Sequence, residues 1–340
     1  MYLLPAGLAI QNASPVKQRR LIAWLIVGIV FIVLIGFRLD VGGDWGSYLR
    51  RYNEIARVSL SAAIHLSDPG YKVLNWVMAQ WGWGVLGVNL VAAIIFMTGL
   101  TLFCRQQPKS WLAFAVAVPY LVVVVAMGYT RQGIAIGLFM WAITYLERGK
   151  LKYYLALLIV AATFHKSAVL MIPLGIFLEG QGRIIRIAAV AAVAYGLWDL
   201  LLVEHQDDLW RNYIDAAMQS EGAKIRAFMN LVPSLILLFY WRKWKDTFPN
   251  FWFWFWIGVG SILSVMFVGV ASTAVDRITL YFIPIQIAVF SRLPYLANKT
   301  IPPHYTVLNV LLGYAAVLFV WLNYAAHARY WVPYHNYLFQ

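Results

Sequence analysis

Eleven apolar runs, joined by short turns that hold most of the basic residues, leave this chain few ways to fold. They lie at 21–37, 84–104, 110–127, 131–147, 151–164, 167–179, 184–203, 227–241, 251–270, 277–292 and 304–324. A helix rises about 1.5 Å per residue, so roughly 20 apolar residues cross the ~30 Å hydrocarbon layer of a bilayer. No water satisfies backbone polar groups inside that layer, which favours helix for every such run. The expectation is an all-α, polytopic transmembrane helix bundle of about eleven spans, a single membrane domain over 1–340. Sixteen Trp and twenty Tyr suit aromatic belts at the two interfaces. The first ten residues are apolar but too short to cross alone. Lys17, Arg19 and Arg20 precede a run without a small-residue cleavage site, which reads as an uncleaved span rather than a signal peptide.

Several function classes drop out. A net charge of +13 would suit nucleic acid, but the basic residues sit mostly in short loops, where topology accounts for them. No nucleic-acid partner is expected. The single Cys104 excludes an internal disulfide and a thiolate metal site. There is no phosphate-cradling Walker loop, no HExxH, no nucleophile-elbow serine and no Cys/His metal spacing.

Basic loops set the topology. With Lys17, Arg19 and Arg20 inside, the cytoplasmic turns hold Arg105 and Lys109; Arg148, Lys150 and Lys152; Arg183 and Arg186; Arg242, Lys243 and Lys245; Arg292 and Lys299. The opposite side receives a first loop, 38–83, a second and partly acidic loop, 204–226, and the short stretches 128–131, 165–166 and 271–276.

Within this frame one stretch stands out, Gly128 to Ala168. The apolar runs Ile134–Leu146 and Leu151–Phe164 are joined by a basic turn, with Thr130-Arg131-Gln132 at one far end and His165-Lys166-Ser167 at the other. A down-and-up hairpin returns His165 to the side where Arg131 began. The arms 151–164 and 167–179 are short for a bilayer, so one long helix with His165 midway is the competing arrangement. That would invert every later loop against the charge bias. The hairpin is favoured, with His165 in a recess.

The first outer loop carries a second group. Gly42 and Gly43 permit a tight turn ahead of Asp44. Trp45, Tyr48, Leu49, Tyr52 and Ile55 then recur at helical spacing, with Arg50, Arg51, Glu54 and Arg57 mostly opposite, as in a helix lying in the interface. Asp68-Pro69-Gly70 is a turn signal before a second short helix with Tyr71, Leu74 and Asn75. A third group, Ser272-Thr273-Ala274-Val275-Asp276-Arg277, opens a late span on the same side.

At these residues the chain resembles the EpsG family of exopolysaccharide polymerases, relatives in function of the Wzy polymerases. The matching pieces are Arg38 with Gly42-Gly43-Asp44, Tyr48 and Tyr52; Pro69-Gly70-Tyr71 with Asn75; Arg131-Gln132-Gly133; His165-Lys166-Ser167-Ala168; and Asp276-Arg277 with Tyr281-Phe282. The arginine-to-histidine hairpin is the most specific part, and Asp44-Trp45 departs from an expected Asp-Tyr. The resemblance implies a GT-C-like membrane glycosyltransferase at the outer face of the bacterial cytoplasmic (inner) membrane. A glycan on undecaprenyl diphosphate would pass to the non-reducing-end hydroxyl of another lipid-linked repeat, with lipid diphosphate leaving. The implied partners are lipid-linked donor and acceptor within the bilayer, with no cofactor. Whether a chain-length regulator joins them is open.

Such a transfer needs a departing diphosphate stabilised and a hydroxyl proton removed. Arg131, Arg277 and Lys166 suit the first, since guanidinium forks bind phosphate oxygens bidentately. His165 or Asp44 suits the second. Arg38, Tyr48, Tyr52 and Tyr71 would line the groove, with Asn75, Gln132, Asp276 and Tyr281 as further contacts. Each has a plainer reading. Arg131 could anchor a span at the headgroups, His165-Lys166 could be an interfacial turn, and Asp44 could cap the helix after it. Asp276-Arg277 could be an ion pair at a helix N-terminus. Arg50, Arg51 and Arg57 read as a headgroup-facing stripe, 251–256 as lipid-facing anchoring, and His205, His304, His327 and His335 lack any partner pattern. Asp40 and Asp44 could hold a divalent cation, although the many cations favour a metal-independent route. Two other functions compete: a membrane O-acyltransferase modifying polysaccharide, and a polysaccharide or lipid transporter.

Overall fold

The computed structural model describes residues 1–10, 17–146, 148–177, 182–201, 222–269, 272–297 and 302–339. Its named elements are all helical. In chain order they are α1 (Leu3–Ile10), α2 (Lys17–Gly36), α3 (Trp45–Ile55), α4 (Leu60–Ile64), α5 (Pro69–Gln80), α6 (Gly84–Arg105) and α7 (Ser110–Ala117). A π-helix (Val118–Ala126), α8 (Thr130–Leu146), α9 (Leu151–Phe164), a 3-10 helix (Lys166–Phe177) and α10 (Arg183–Leu201) follow. The last are α11 (Ala223–Phe239), α12 (Trp241–Thr247), α13 (Phe251–Phe267), α14 (Ser272–Phe282), α15 (Pro284–Leu296) and α16 (Pro303–Tyr324). Most of the expected acidic loop, residues 204–221, lies outside the described residues.

Each expected run is helical where it is described, but length sorts them. By length and composition α6 and α16 are long and apolar enough to cross a membrane alone. Two bent pairs, α11 with α12 (77°) and α14 with α15 (41°), raise the number to four if each is one span. Among the described residues Leu21–Gly36, Ser110–Ala126, Leu151–Phe164, Lys166–Phe177 and Phe251–Phe267 are shorter apolar helices of 10–17 residues.

α6, α8 and α9 form the centre, with α2 against α6. Their close approach rests on absent side chains. A methyl group at Gly99 of α6 would overlap the Gly137 carbonyl oxygen of α8, and one at Gly137 would lie 2.6 Å from Phe96 Cα. Between helices in lipid, small residues allow packing that gains dispersion and weak backbone contacts where no hydrophobic driving force operates. Gly99→Leu is therefore expected to force α6 from α8, with the loss of folded protein read by size-exclusion profile and thermal unfolding in detergent.

The hairpin expected after α9 is present. Tyr154, in the first turn of α9, donates its hydroxyl hydrogen to the Met171 carbonyl at 2.6 Å. A methyl group at Gly175 would meet Leu151 and Tyr154 at 3.1 and 3.2 Å. One continuous helix would hold these residues more than 20 Å apart. The return arm is a 3-10 helix rather than an α-helix. At about 2.0 Å per residue its 12 residues reach ~24 Å, enough to run back beside the 14 residues of α9 at ~21 Å.

Residues at or next to three of the turns expected to be cytoplasmic, 105–109, 242–245 and 292–299, meet one another. Arg292 donates to Gln107, and its guanidinium lies 5.0 Å from the Trp244 ring and 5.2 Å from Phe248. Lys243 Nζ donates to the Leu296 carbonyl at 3.0 Å.

At the His165 end the C-terminal residues 325–339 form a strap over the first loop. Backbone N–H groups of Leu39 and Gly42 donate to His335 and Tyr330 (3.0 and 2.9 Å), and Tyr337 N–H donates to Phe37 (2.9 Å). Trp331 is buried and donates its indole N–H at 2.7 Å to the Val123 carbonyl in the π-helix.

Candidate active site

Three elements bring the expected residues together: the tip of the α9 hairpin, the first turn of α8 and the first turns of α14. His165 sits in the turn between the two hairpin arms with 5% of its surface exposed. Its Nε2 is 3.4 Å from Arg277 Nη1 and its Nδ1 is 3.5 Å from the Tyr281 hydroxyl. A guanidinium only donates, so a favourable contact makes Nε2 the acceptor and leaves the proton on Nδ1, directed at the tyrosine oxygen. Burial lowers the imidazole's pKa well below its ordinary value, and the positive charges of Arg277, Arg131 and Lys166 act in the same direction. His165 is a neutral base among cations.

Arg131, in the first turn of α8, donates through Nη1 to Asp68 Oδ2 at 2.5 Å. Asp68 is buried and has φ 57°, a left-handed conformation that aspartate tolerates better than most residues. It precedes Pro69-Gly70 at the start of α5, where any side chain on Gly70 would overlap Thr163 at the end of α9. The close approach of Gly70 seats the start of α5 on the hairpin tip. Asp68 therefore reaches Arg131 across 63 residues of sequence. It was legible in the sequence only as a turn residue. Lys72, in the first turn of α5, was also missed: burial lowers its pKa, and the charges of Arg51 and Arg131 lower it further.

Other expected residues stand around this centre. Tyr48 faces Arg131 and packs edge-on to Tyr71 with ring centroids 5.9 Å apart. Burial raises its pKa, so the phenol stays neutral. Asn75 is buried and donates to the Tyr71 carbonyl at 2.7 Å, while Tyr52 is half-buried against the core. Gln132 Nε2 donates to the Arg277 backbone carbonyl at 2.8 Å. Asp44 occupies the N-cap position of α3 but makes no side-chain cap hydrogen bond, and it is exposed. Among the described residues no three His, Cys, Asp or Glu side chains are grouped to hold a metal ion.

Two expected residues are engaged elsewhere. Arg38 is 1% exposed and ties three elements: Nη1 donates to the Ile35 carbonyl (2.7 Å), and Nη2 to Asn89 Oδ1 (3.0 Å) and Thr130 Oγ1 (2.8 Å). It holds the residue before Arg131 rather than joining the cluster around His165. Asp276 pairs with Arg226 of α11, a buried ion pair to which Tyr120 adds a hydroxyl 3.0 Å from Arg226 Nη1. Arg226 was missed by the sequence reading. With Asp276 turned toward α11, its neighbour Arg277 turns toward His165. Arg226→Met would leave a buried carboxylate unpaired and is expected to cost about 3–5 kcal/mol. Arg226→Met with Asp276→Leu should recover much of that loss, as read by thermal unfolding of both variants in detergent.

A search of curated proteins returns no match to this chain. The geometry nevertheless follows the motif pattern that the sequence suggested, with arginine, hairpin histidine and late arginine converging from distant segments. The EpsG family model matches residues 21–336, nearly the whole sequence, and the chain belongs to the EpsG family.

Proposed function

We propose that this protein extends polysaccharide by transferring a growing glycan from undecaprenyl diphosphate to the non-reducing-end hydroxyl of another lipid-linked repeat unit. The family supports a membrane glycosyltransferase of the polysaccharide-polymerase type. The observation that carries the finer reading is the buried, neutral His165 beside Arg277, with Arg131 and Lys166 adding positive charge. An O-acyltransferase would also use a histidine and arginines, but its acyl-CoA donor is cytoplasmic, whereas the basic-loop pattern puts this cluster on the outer side.

In the transfer, the acceptor oxygen bonds to the donor's anomeric carbon while the bond from that carbon to the diphosphate oxygen breaks. The electron pair leaves with the lipid diphosphate, which Arg131, Arg277 and Lys166 neutralise. The acceptor proton goes to His165 Nε2 or to Asp44. The contact between Arg277 and Nε2 gives these events an order. A diphosphate that draws Arg277 toward itself uncovers the imidazole lone pair only when a donor is present. Tyr48, Tyr71 and Asn75 are packed beside Arg131 and support its position.

We place the site on the outer face of the inner membrane, with eleven spans, because the basic-loop bias puts His165 outside and three of the turns it assigns to the cytoplasm meet one another. Cys104 is fully buried, so an engineered cysteine reports with little background. Glu54→Cys and Lys150→Cys, both at exposed positions, are expected to label with an impermeant maleimide from outside and only after permeabilisation, respectively. The reverse pattern would move the site to the cytoplasmic face and favour an acyltransferase. The functional test is glycan size in a strain lacking this gene: the wild-type gene restores long polymer. Unchanged length with loss of an acyl group from the repeat would overturn the polymerase reading.

A further inference from the structure

The C-terminal strap presents polar and aromatic side chains that the mechanism above does not use. Its attachment and its exposed face use different atoms. Backbone groups of Tyr330, His335 and Tyr337 pair with the first loop, and Trp331 and Tyr334 anchor through their side chains to the Val123 and Leu34 carbonyls. The side chains of His327, Arg329 and Tyr330 are exposed, with Tyr330 at 40%. A methyl group at Gly43 would sit 3.6 Å from the Tyr330 ring and 3.9 Å from the His327 ring, so both rings border the residue before Asp44. Arg329 fixes the tyrosine, donating to its hydroxyl at 3.1 Å with the guanidinium 5.0 Å from the ring centre.

From this juxtaposition we propose that Tyr330 and His327, beside the Gly43-Asp44 turn, form a binding subsite for a pyranose ring of the glycan. The proposal rests on the polymerase reading and adds where the sugar is held. A pyranose has an apolar C–H face and a rim of hydroxyls. An exposed, fixed tyrosine ring suits the face, and an uncapped carboxylate with a nearby imidazole suits the rim. The strap lies near the cation cluster through the first loop: Asp44 acts electrostatically on Tyr48, and Tyr48 interacts with Arg131.

Tyr330→Ala removes the ring and leaves the backbone and Trp331 anchors in place. The probe is the repeat-unit oligosaccharide released from the polymer of cells expressing this protein. Its binding to purified protein in nanodiscs is followed by saturation-transfer NMR, beside binding of inorganic diphosphate. Tyr330→Ala is expected to weaken oligosaccharide binding at least tenfold with diphosphate binding unchanged, and Tyr330→Trp to restore it. Equal oligosaccharide affinity in wild type and Tyr330→Ala would overturn the subsite, as would absence of binding to wild type. Parallel loss of both probes would also overturn it, by showing that the ring only holds the fold. Chain extension by wild type is scored separately. Its absence would overturn the polymerase reading, leaving the NMR comparison to decide the subsite.

Discussion

Cells whose only copy carries Arg131→Ala are expected to accumulate single lipid-linked repeats, with chain extension down at least 10²–10³-fold, the usual cost of one transition-state donor. The reason is geometric as well as electrostatic. Arg131 is held by Asp68 at 2.5 Å and keeps 21% of its side chain exposed, so it is oriented without being fully consumed. Arg131→Lys keeps the charge but not the planar fork, and should recover only part of the rate. Asp68→Asn should give a milder defect, because it loosens the guanidinium without removing it. Glycan size distributions across the three variants check this ordering. If Arg131→Ala supported normal length, the plainer reading of this arginine as a headgroup anchor would stand.

Replacing His165 should be as severe. His165→Asn is expected to lower the chain-extension rate by about 10²–10⁴-fold, the range for loss of a general base. The same residue sets a pH signature. Its pKa is lowered, so the neutral imidazole persists below the ordinary histidine range near ~6.5. The acid limb of kcat/KM should fall below that range, and His165→Asn should abolish it. Stability follows the same linkage. The unfolded chain binds the proton more readily, so stability falls as pH drops through ~6.5 and levels off below the folded value. A wild-type rate that halves at pH 6.5 with folding intact would instead assign the base to a group outside this buried pocket.

Much of the helical frame was legible because apolar runs and basic turns are local signals. The hairpin was legible from charge: the short arms left one long helix through His165 as a rival, and that helix would have inverted every later loop against the bias of the basic turns. What could not be read was its conformation. A 3-10 return arm extends farther per residue than an α-helix, and nothing in its composition announces that. The cations and the histidine were legible by residue type and by side. Asp68 was not, because its pairing with Arg131 depends on the seating of Gly70 against Thr163. Asp276 and Arg277 looked like one unit in sequence, yet adjacent residues on a helix diverge by about 100° and cannot share a face. Asp276 accordingly takes Arg226, while Arg277 takes His165. The strap went unread for a related reason: residues 325–339 have no apolar period, and backbone pairing with Phe37, Leu39 and Gly42 organises them.

The measurement that bears most directly on the cation cluster is the stoichiometry of lipid diphosphate release. Purified protein would be reconstituted in liposomes with the lipid-linked repeat, counting undecaprenyl diphosphate freed against glycosidic bonds formed. The account predicts one released per bond as chains lengthen, with both quantities falling together in Arg131→Ala. Chains that lengthen without release of lipid diphosphate, or release that is unchanged in Arg131→Ala, would contradict it.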